Sequence, residues 1–230
     1  MELKISGNVF ALVPNLRVGV LVLSGINNKV DICKMFDSEL ETITKSMTSK
    51  FDGVELAEYP LIRAWRDVYK SFGEKKARSS IEALIRRIVG GKGLYRINPL
   101  VDIYNLASLN FELPCGGEDI DIMKNPLELT TANGDEVFLP LGQTETETPN
   151  KGEIIYKSGD IVVCRNFNYR ESDITKLTEN TTNAILVFED LMGDADKLQH
   201  VLDWTSEKVR SLLGAEVKKV AVLDKTSPVL

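Results

Sequence analysis

The sequence predicts an α+β fold, with mixed β-sheets towards its two ends and a helical middle. Three observations carry this. Val18 to Leu23 and Ala184 to Phe188 are continuous apolar runs of strand length, four stretches between residues 37 and 111 place apolar residues at helical spacing, and after Leu113 short β-type segments alternate with turn signals. Composition agrees, since 43% hydrophobic and 27% charged residues describe an ordinary globular chain. No internal repeat or low-complexity tract divides it, so residues 1–230 are read as one domain.

In chain order, Val18 to Leu23 is bounded by Asn15 and by Gly25 to Asn28, as suits a strand covered on both faces. Residues 37–50 follow as a helix with Asp37 or Ser38 at its N-cap and Leu40, Ile43 and Met47 on one side. Tyr59 and Pro60 open a second helix, whose stripe of Ile62, Trp65, Val68, Tyr69 and Phe72 ends at Gly73. Ser79 or Ser80 caps a third, with Ile81, Leu84, Ile85 and Ile88, closed by Gly90 and Gly91. A fourth starts after Asn98 and Pro99, because proline is pre-organised for a first helical turn. Asn133-Gly134 predicts a hairpin between 127–129 and 137–139, and Ser158 to Asp160 a second one between 152–156 and 161–164. Gln143 to Lys151 reads as a loop. A last helix, 194–213, ends at Gly214 and leads to a strand over 217–223.

Residue counts exclude several function classes. His200 is the one histidine, and it lies among helical core neighbours, so no histidine-rich zinc site is available and any Ser/His/Asp or Cys/His triad would depend on it. Cys33, Cys115 and Cys164 are odd in number and show no C-x-x-C spacing, which reads as free thiols of a cytoplasmic protein. The apolar run near the N-terminus is too short to span a membrane. Gly90-Gly-Lys-Gly93 lacks the first glycine and the hydroxyl residue of a phosphate loop, and reads as an interhelical turn. The carboxylates at 118, 119 and 121 offer too few ligands for a hard cation. No cofactor and no metal is expected.

The net charge of -6 hides an uneven distribution. From Arg63 to Arg96 there are ten basic residues against three acidic ones, a local charge of +7. Trp65, Tyr69 and Tyr95 are interleaved with them, a combination that could engage a phosphate backbone with exposed bases; a solvated helical face is the plain alternative.

Tyr59 to Arg66, Ser79 to Arg87, Ile97 to Asn105 with its Asn-x-x-Val-Asp-x-x-Asn helix start, Leu113-Pro114, Gly117 to Asp119 and Thr181 to Asn183 together resemble free-standing B3/B4 domain proteins. These are similar to the B3/B4 module in the beta subunit of bacterial phenylalanyl-tRNA synthetase, and the resemblance covers about residues 5–215. It implies a three-layer fold and a module that removes a wrongly attached amino acid from tRNA. Such a module admits the wrong amino acid through a buried polar group and lets water attack the ester by positioning and oxyanion stabilisation, without a protein nucleophile. No synthetase core fits in the remainder.

Carried over, Asn105 and Glu189 would orient the aminoacyl group, with Glu189 standing where the related module reads a tyrosine hydroxyl. Tyr104 stands where that module has threonine, Gly116 where it has histidine, and Asn166 to Arg170 where it has a glycine-rich segment. Tyrosine specificity is therefore not carried over, and a mixed-charge lining of Arg165, Arg170, Glu118 and Asp119 is expected instead, with Glu118 or Asp119 on the α-amino group. Arg66, Arg86 and Arg87 are the expected phosphate contacts. The expected partners are tRNA or aminoacyl-tRNA, or a free amino acid, with no membrane. A non-catalytic binder of RNA or of an amino acid on the same scaffold, and an RNA-independent enzyme on an amino-acid derivative, remain open beside a deacylase acting in trans.

Overall fold

The computed structural model describes residues 1–230, apart from the side chain of residue 195. Its helices are α1 (Gly7–Leu12), α2 (Cys33–Lys50), α3 (Pro60–Ser71), α4 (Ser80–Val89), α5 (Pro99–Phe111) and α6 (Ala195–Leu213). Strands β2 (Arg17–Ser24), β3 (Cys115–Asp119), β8 (Ala184–Asp190) and β9 (Glu216–Leu223) form an antiparallel sheet in the order β3-β8-β2-β9. Strands β1 (Leu3–Ile5), β4 (Leu127–Thr131), β5 (Ile154–Ser158), β6 (Ile161–Arg165) and β7 (Arg170–Glu171) form a second sheet in the order β1-β4-β5-β6-β7. That sheet is mixed, since β1 runs parallel to β4 and the other pairs are antiparallel.

Side-chain alternation on the two central strands explains the layering. Val18, Val20 and Val22 of β2, with Ile185 and Val187 of β8, share a core with Leu127, Leu129 and Tyr156 of the second sheet. The alternate residues Leu21, Leu23, Leu186 and Phe188 pack instead on Ile103 and Ala107 of α5 and Leu198, Leu202 and Val209 of α6. The result is helices over one sheet over the other, the three-layer α+β arrangement. Gly19 permits the close approach of α6, for a Cβ there would stand 3.2 Å from Leu198 Cδ2.

Most local signals act as their chemistry dictates. Ser79 Oγ accepts from Glu82 N, Asn98 Oδ1 from Val101 N, and Asp194 Oδ1 from Lys197 N, capping α4, α5 and α6. Gly214, at φ 62°, ends α6. Three expectations need correction. Helix α2 begins at Cys33 rather than at residue 37, because Asp31 Oδ1 accepts from Cys33 N and closes the turn one step earlier. The Asn133-Gly134 turn does not join paired strands, since β4 pairs with β5 and Val137 and Phe138 make only isolated bridges. The turn's amides bind the Glu136 carboxylate instead, Asn133 N at 3.0 Å and Gly134 N at 3.1 Å. Residues 115–119, for which no strand is expected, form β3.

Candidate functional site

The two sheets face each other across a small cavity, and strand register decides what lines it. In the second sheet Leu129, Tyr156, Cys164 and Glu171 form one cross-strand rank. Opposite lie Ile185, Val187 and Glu189 of β8, and the register of β3 sets Gly116 beside Val187 and Glu118 beside Ile185 on the same face. The cavity between them leaves about 20 Å³ for the centre of a water-sized molecule. Glu171 also borders an open surface groove with Glu145, Glu147, Tyr169 and Arg170, so it belongs to the wall between the two.

Three carboxyl groups therefore meet in an apolar gap. Glu118 is 6% exposed and Glu189 1%. Burial pushes Glu189 up to about 7 even though Tyr156 and Asn168 hydrogen-bond it, and burial pushes Glu171 up to about 7 as well. Burial, then the neighbouring Glu171 carboxylate, hold Glu118 well above the usual carboxylate range. Glu118 Oε2 has no hydrogen-bond partner among the described residues. Burial likewise raises the thiols of Cys115 and Cys164 and the phenols of Tyr104 and Tyr156.

Other buried acids show how this chain ordinarily treats such groups. Glu82 is matched by Arg66 and Arg86, Glu153 by Arg165, Asp102 by Arg96 and Glu136 by Lys157. Asp119 accepts from Thr181 Oγ1 at 2.6 Å, and Asp190 from the amides of Met192 and Asp194. No lysine, arginine or histidine lines the cavity. Its carboxyls must share protons or wait for a cation.

Glu189 is held on both sides. Tyr156 Oη donates to Oε1 at 2.8 Å and Asn168 Nδ2 to Oε2 at 2.6 Å. Asn168 Oδ1 in turn accepts from Tyr69 Oη at 2.8 Å and from Ser80 N at 3.1 Å, which ties the cavity wall to α3 and to the start of α4. Trp65 packs edge-on against Phe167, centroids 5.1 Å apart, behind the same wall. The loop between these helices, with Arg66 and Lys70, carries Lys75, Lys76 and Arg78 around a basic groove.

The structure brings Glu189, Gly116 and Glu118 together at the cavity and assigns the remaining expected residues elsewhere. Tyr104 lies behind it, its Cε1 3.4 Å from where a Gly117 Cβ would stand. Asn105, half-buried on α5, is not among the lining residues. Asp119 secures a turn through Thr181 Oγ1 and the Asp121 amide. Arg165 does not face the cavity but grips Glu153 through two bonds, at 2.8 and 2.7 Å, and reaches Glu147; Arg170 also holds Glu147 with two. Arg66 and Arg86 are drawn onto buried Glu82, and Arg87 onto the carbonyls of Gly93 and Lys92 and over the Tyr95 ring. Free cationic ends on that side belong instead to Lys75 and Lys76, which have no ion-pair partner among the described residues. His200 is exposed on α6.

Tyr156, Asn168 and Glu171 were not anticipated. Tyr156 and Glu171 show only a period-two pattern on short strands, and Asn168 lies in the turn between β6 and β7; the β5–β6 pairing is the hairpin expected around Ser158 to Asp160, but the short β7 and the face it turns towards β8 leave no sequence signal. Among the described residues no three of His, Cys, Asp and Glu come together as a metal site, and no helix is long and apolar enough to cross a membrane.

Comparison with curated proteins finds no match. Among solved structures, the chain is similar to an N-terminal fragment of the phenylalanyl-tRNA synthetase beta-subunit from Pyrococcus horikoshii, with 13% sequence identity and a TM-score of 0.49. That alignment covers 94% of this chain and 49% of the other, so the chain spans about half the length of the fragment it matches. The family model described as the B3/4 domain matches residues 64–195, which include α4, α5, β3 and every residue lining the cavity. With more than half of its length matched in this way, the chain belongs to the B3/4 domain family.

Proposed function

We propose that the inter-sheet cavity holds the amino group of an aminoacyl ligand, and that the chain hydrolyses aminoacyl-tRNA presented to it in trans in the cytoplasm. The observation that carries this is the uncompensated set of carboxyls, Glu118, Glu171 and Glu189, in a cavity without a cationic side chain. An ammonium group entering beside Glu118 and Glu171 replaces the proton those carboxyls otherwise share, and supplies a donor to the unpaired Glu118 Oε2. Membership in the B3/4 domain family and the resemblance of the Asn98 to Asn105 segment to the synthetase module support tRNA as the carrier. The basic groove of Lys70, Lys75, Lys76 and Arg78 offers phosphate contacts.

Glu171 suits the chemical step. A carboxyl near 7 is partly ionised at neutral pH, the entering ammonium completes its ionisation, and the carboxylate can then accept a proton from water. The water oxygen then bonds to the ester carbonyl carbon, the bond from that carbon to the terminal ribose oxygen breaks, and the proton passes from Glu171 to the departing oxygen. A second reading, a non-catalytic binder of RNA or of a free amino acid, is favoured by one observation, the narrowness of the cavity.

Incubating the protein with a panel of aminoacyl-tRNAs and following ester loss separates the two. At least one ester is expected to disappear faster than in buffer, with Glu171→Gln slowing it by roughly 100-fold. If every ester persists as in buffer while calorimetry detects a bound amino acid, the binder reading replaces the hydrolase.

A further inference from the structure

The cavity contains a tyrosine side chain of its own. Tyr156 Oη donates to Glu189 Oε1 at 2.8 Å, and Asn168 occupies Oε2, so the carboxylate that could read a ligand hydroxyl is already engaged by the chain. The Tyr156 ring is fixed as well as placed. It lies edge-on to Phe167, centroids 6.3 Å apart, and Phe167 stands edge-on to buried Trp65. Phe167 adopts φ 65°, a backbone conformation uncommon for a bulky residue, and it is fully buried where it points into this wall. The opposite wall cannot recede, because Gly117 is packed so closely that a Cβ there would lie 2.5 Å from Leu186 Cδ2.

What remains, within a lining that includes Glu118 and Glu171, leaves only about 20 Å³ for the centre of a water-sized molecule, room for an ammonium group and a very short stem but for no second ring. We propose that Tyr156 is a specificity-determining residue: it occupies both the space and the hydrogen bond that an aromatic side chain would use, and confines the site to small amino acids such as glycine, alanine or serine bearing a free α-ammonium. The proposal rests on the reading of this cavity as an aminoacyl site, but not on hydrolysis or on tRNA.

The test uses hydrolysis-resistant amides of 3′-amino-adenosine carrying alanine or tyrosine, titrated calorimetrically against the wild-type chain and Tyr156→Ala. The alanyl amide is expected to bind the wild type at least roughly tenfold more tightly than the tyrosyl amide, because a packed wall rejects an added group more strongly than it rewards a missing one. In Tyr156→Ala the order reverses. A thermal-shift arm covers a variant that folds poorly, since p-cresol, a match for the deleted side chain, should stabilise Tyr156→Ala and leave the wild type unmoved. Equal or tighter binding of the tyrosyl amide by the wild type overturns the inference and leaves the aminoacyl reading standing. If neither amide binds, the aminoacyl reading itself falls and takes the inference with it.

Discussion

Asn168 and Tyr156 keep Glu189 buried and oriented, yet neither brings a positive charge, and no cationic side chain is among the residues that line the cavity. That deficit has a measurable consequence for stability. The folded chain raises Glu171 and Glu189 from an ordinary 4.5 to about 7, so in the window between those values it retains protons that the unfolded chain has released. Stability is present below that window and is lost as pH rises through it, by up to about 1.4 kcal/mol per pH unit for each group. Urea melts between pH 5 and 8 should show this decline, and Glu171→Gln should make it shallower while Glu189 keeps its share. A wild-type chain as stable at pH 8 as at pH 5 would mean that these carboxyls titrate normally. Glu82 makes the opposite contribution, for although burial opposes its arginines it still ends below its ordinary value.

At the scale of elements, β3 carries the most information per residue. Gly116 and Gly117 look like loop residues, but they are strand residues whose missing side chains let β3 lie against β8 and Leu177. Gly117→Ala is expected to destabilise the chain by roughly 1–3 kcal/mol through overpacking against Leu186 and Leu177, measurable as a shift in denaturation midpoint. Gly25→Ala is the wrong control because its φ is positive; Gly7, with open space around it, is the right one. The same strand shows what was legible in the sequence. Long periodic elements were readable, as in α3 to α6, where proline, caps and terminal glycines mark the ends. Glu118 and Glu189 were found through the resemblance. Tyr156, Asn168 and Glu171 were not, because the two-residue β7, the turn before it and the face that this hairpin presents to β8 leave no mark in the sequence. The arginines misled for a related reason. Sequence shows a charge but not the buried carboxylate that will claim it, as Glu82 claims Arg66 and Arg86 and Glu153 claims Arg165.

Across the whole molecule, charge is sorted by place. An acidic cavity shares Glu171 with a groove bearing Glu145 and Glu147, while a basic groove is lined by α3 and by the loop between α3 and α4. Asn168 joins the two sides, with one end on Glu189 and the other on Tyr69 and Ser80. If the basic groove contacts tRNA phosphates, changing Lys75, Lys76 and Arg78 together to glutamine should lower the slope of log affinity against log salt by roughly 2 to 3. Neutralising Arg66 or Arg86 should reduce folding stability instead, because each leaves Glu82 short of a partner. An unchanged salt slope in the triple variant would remove this face from consideration.

On the reading proposed above, the uncompensated carboxyls between the sheets receive a ligand's amino group. Carbon-13 NMR of labelled glutamate carboxyls measures this at the atoms concerned. In the free protein the Glu171 and Glu189 resonances should titrate near 7. With the alanyl-adenosine amide bound, Glu171 and Glu118 should titrate at clearly lower pH, since a nearby cation favours the ionised form. Glutamate resonances that all titrate in the ordinary range, or that do not move when a ligand binds, would mean that the cavity carboxyls are not an amino-group site.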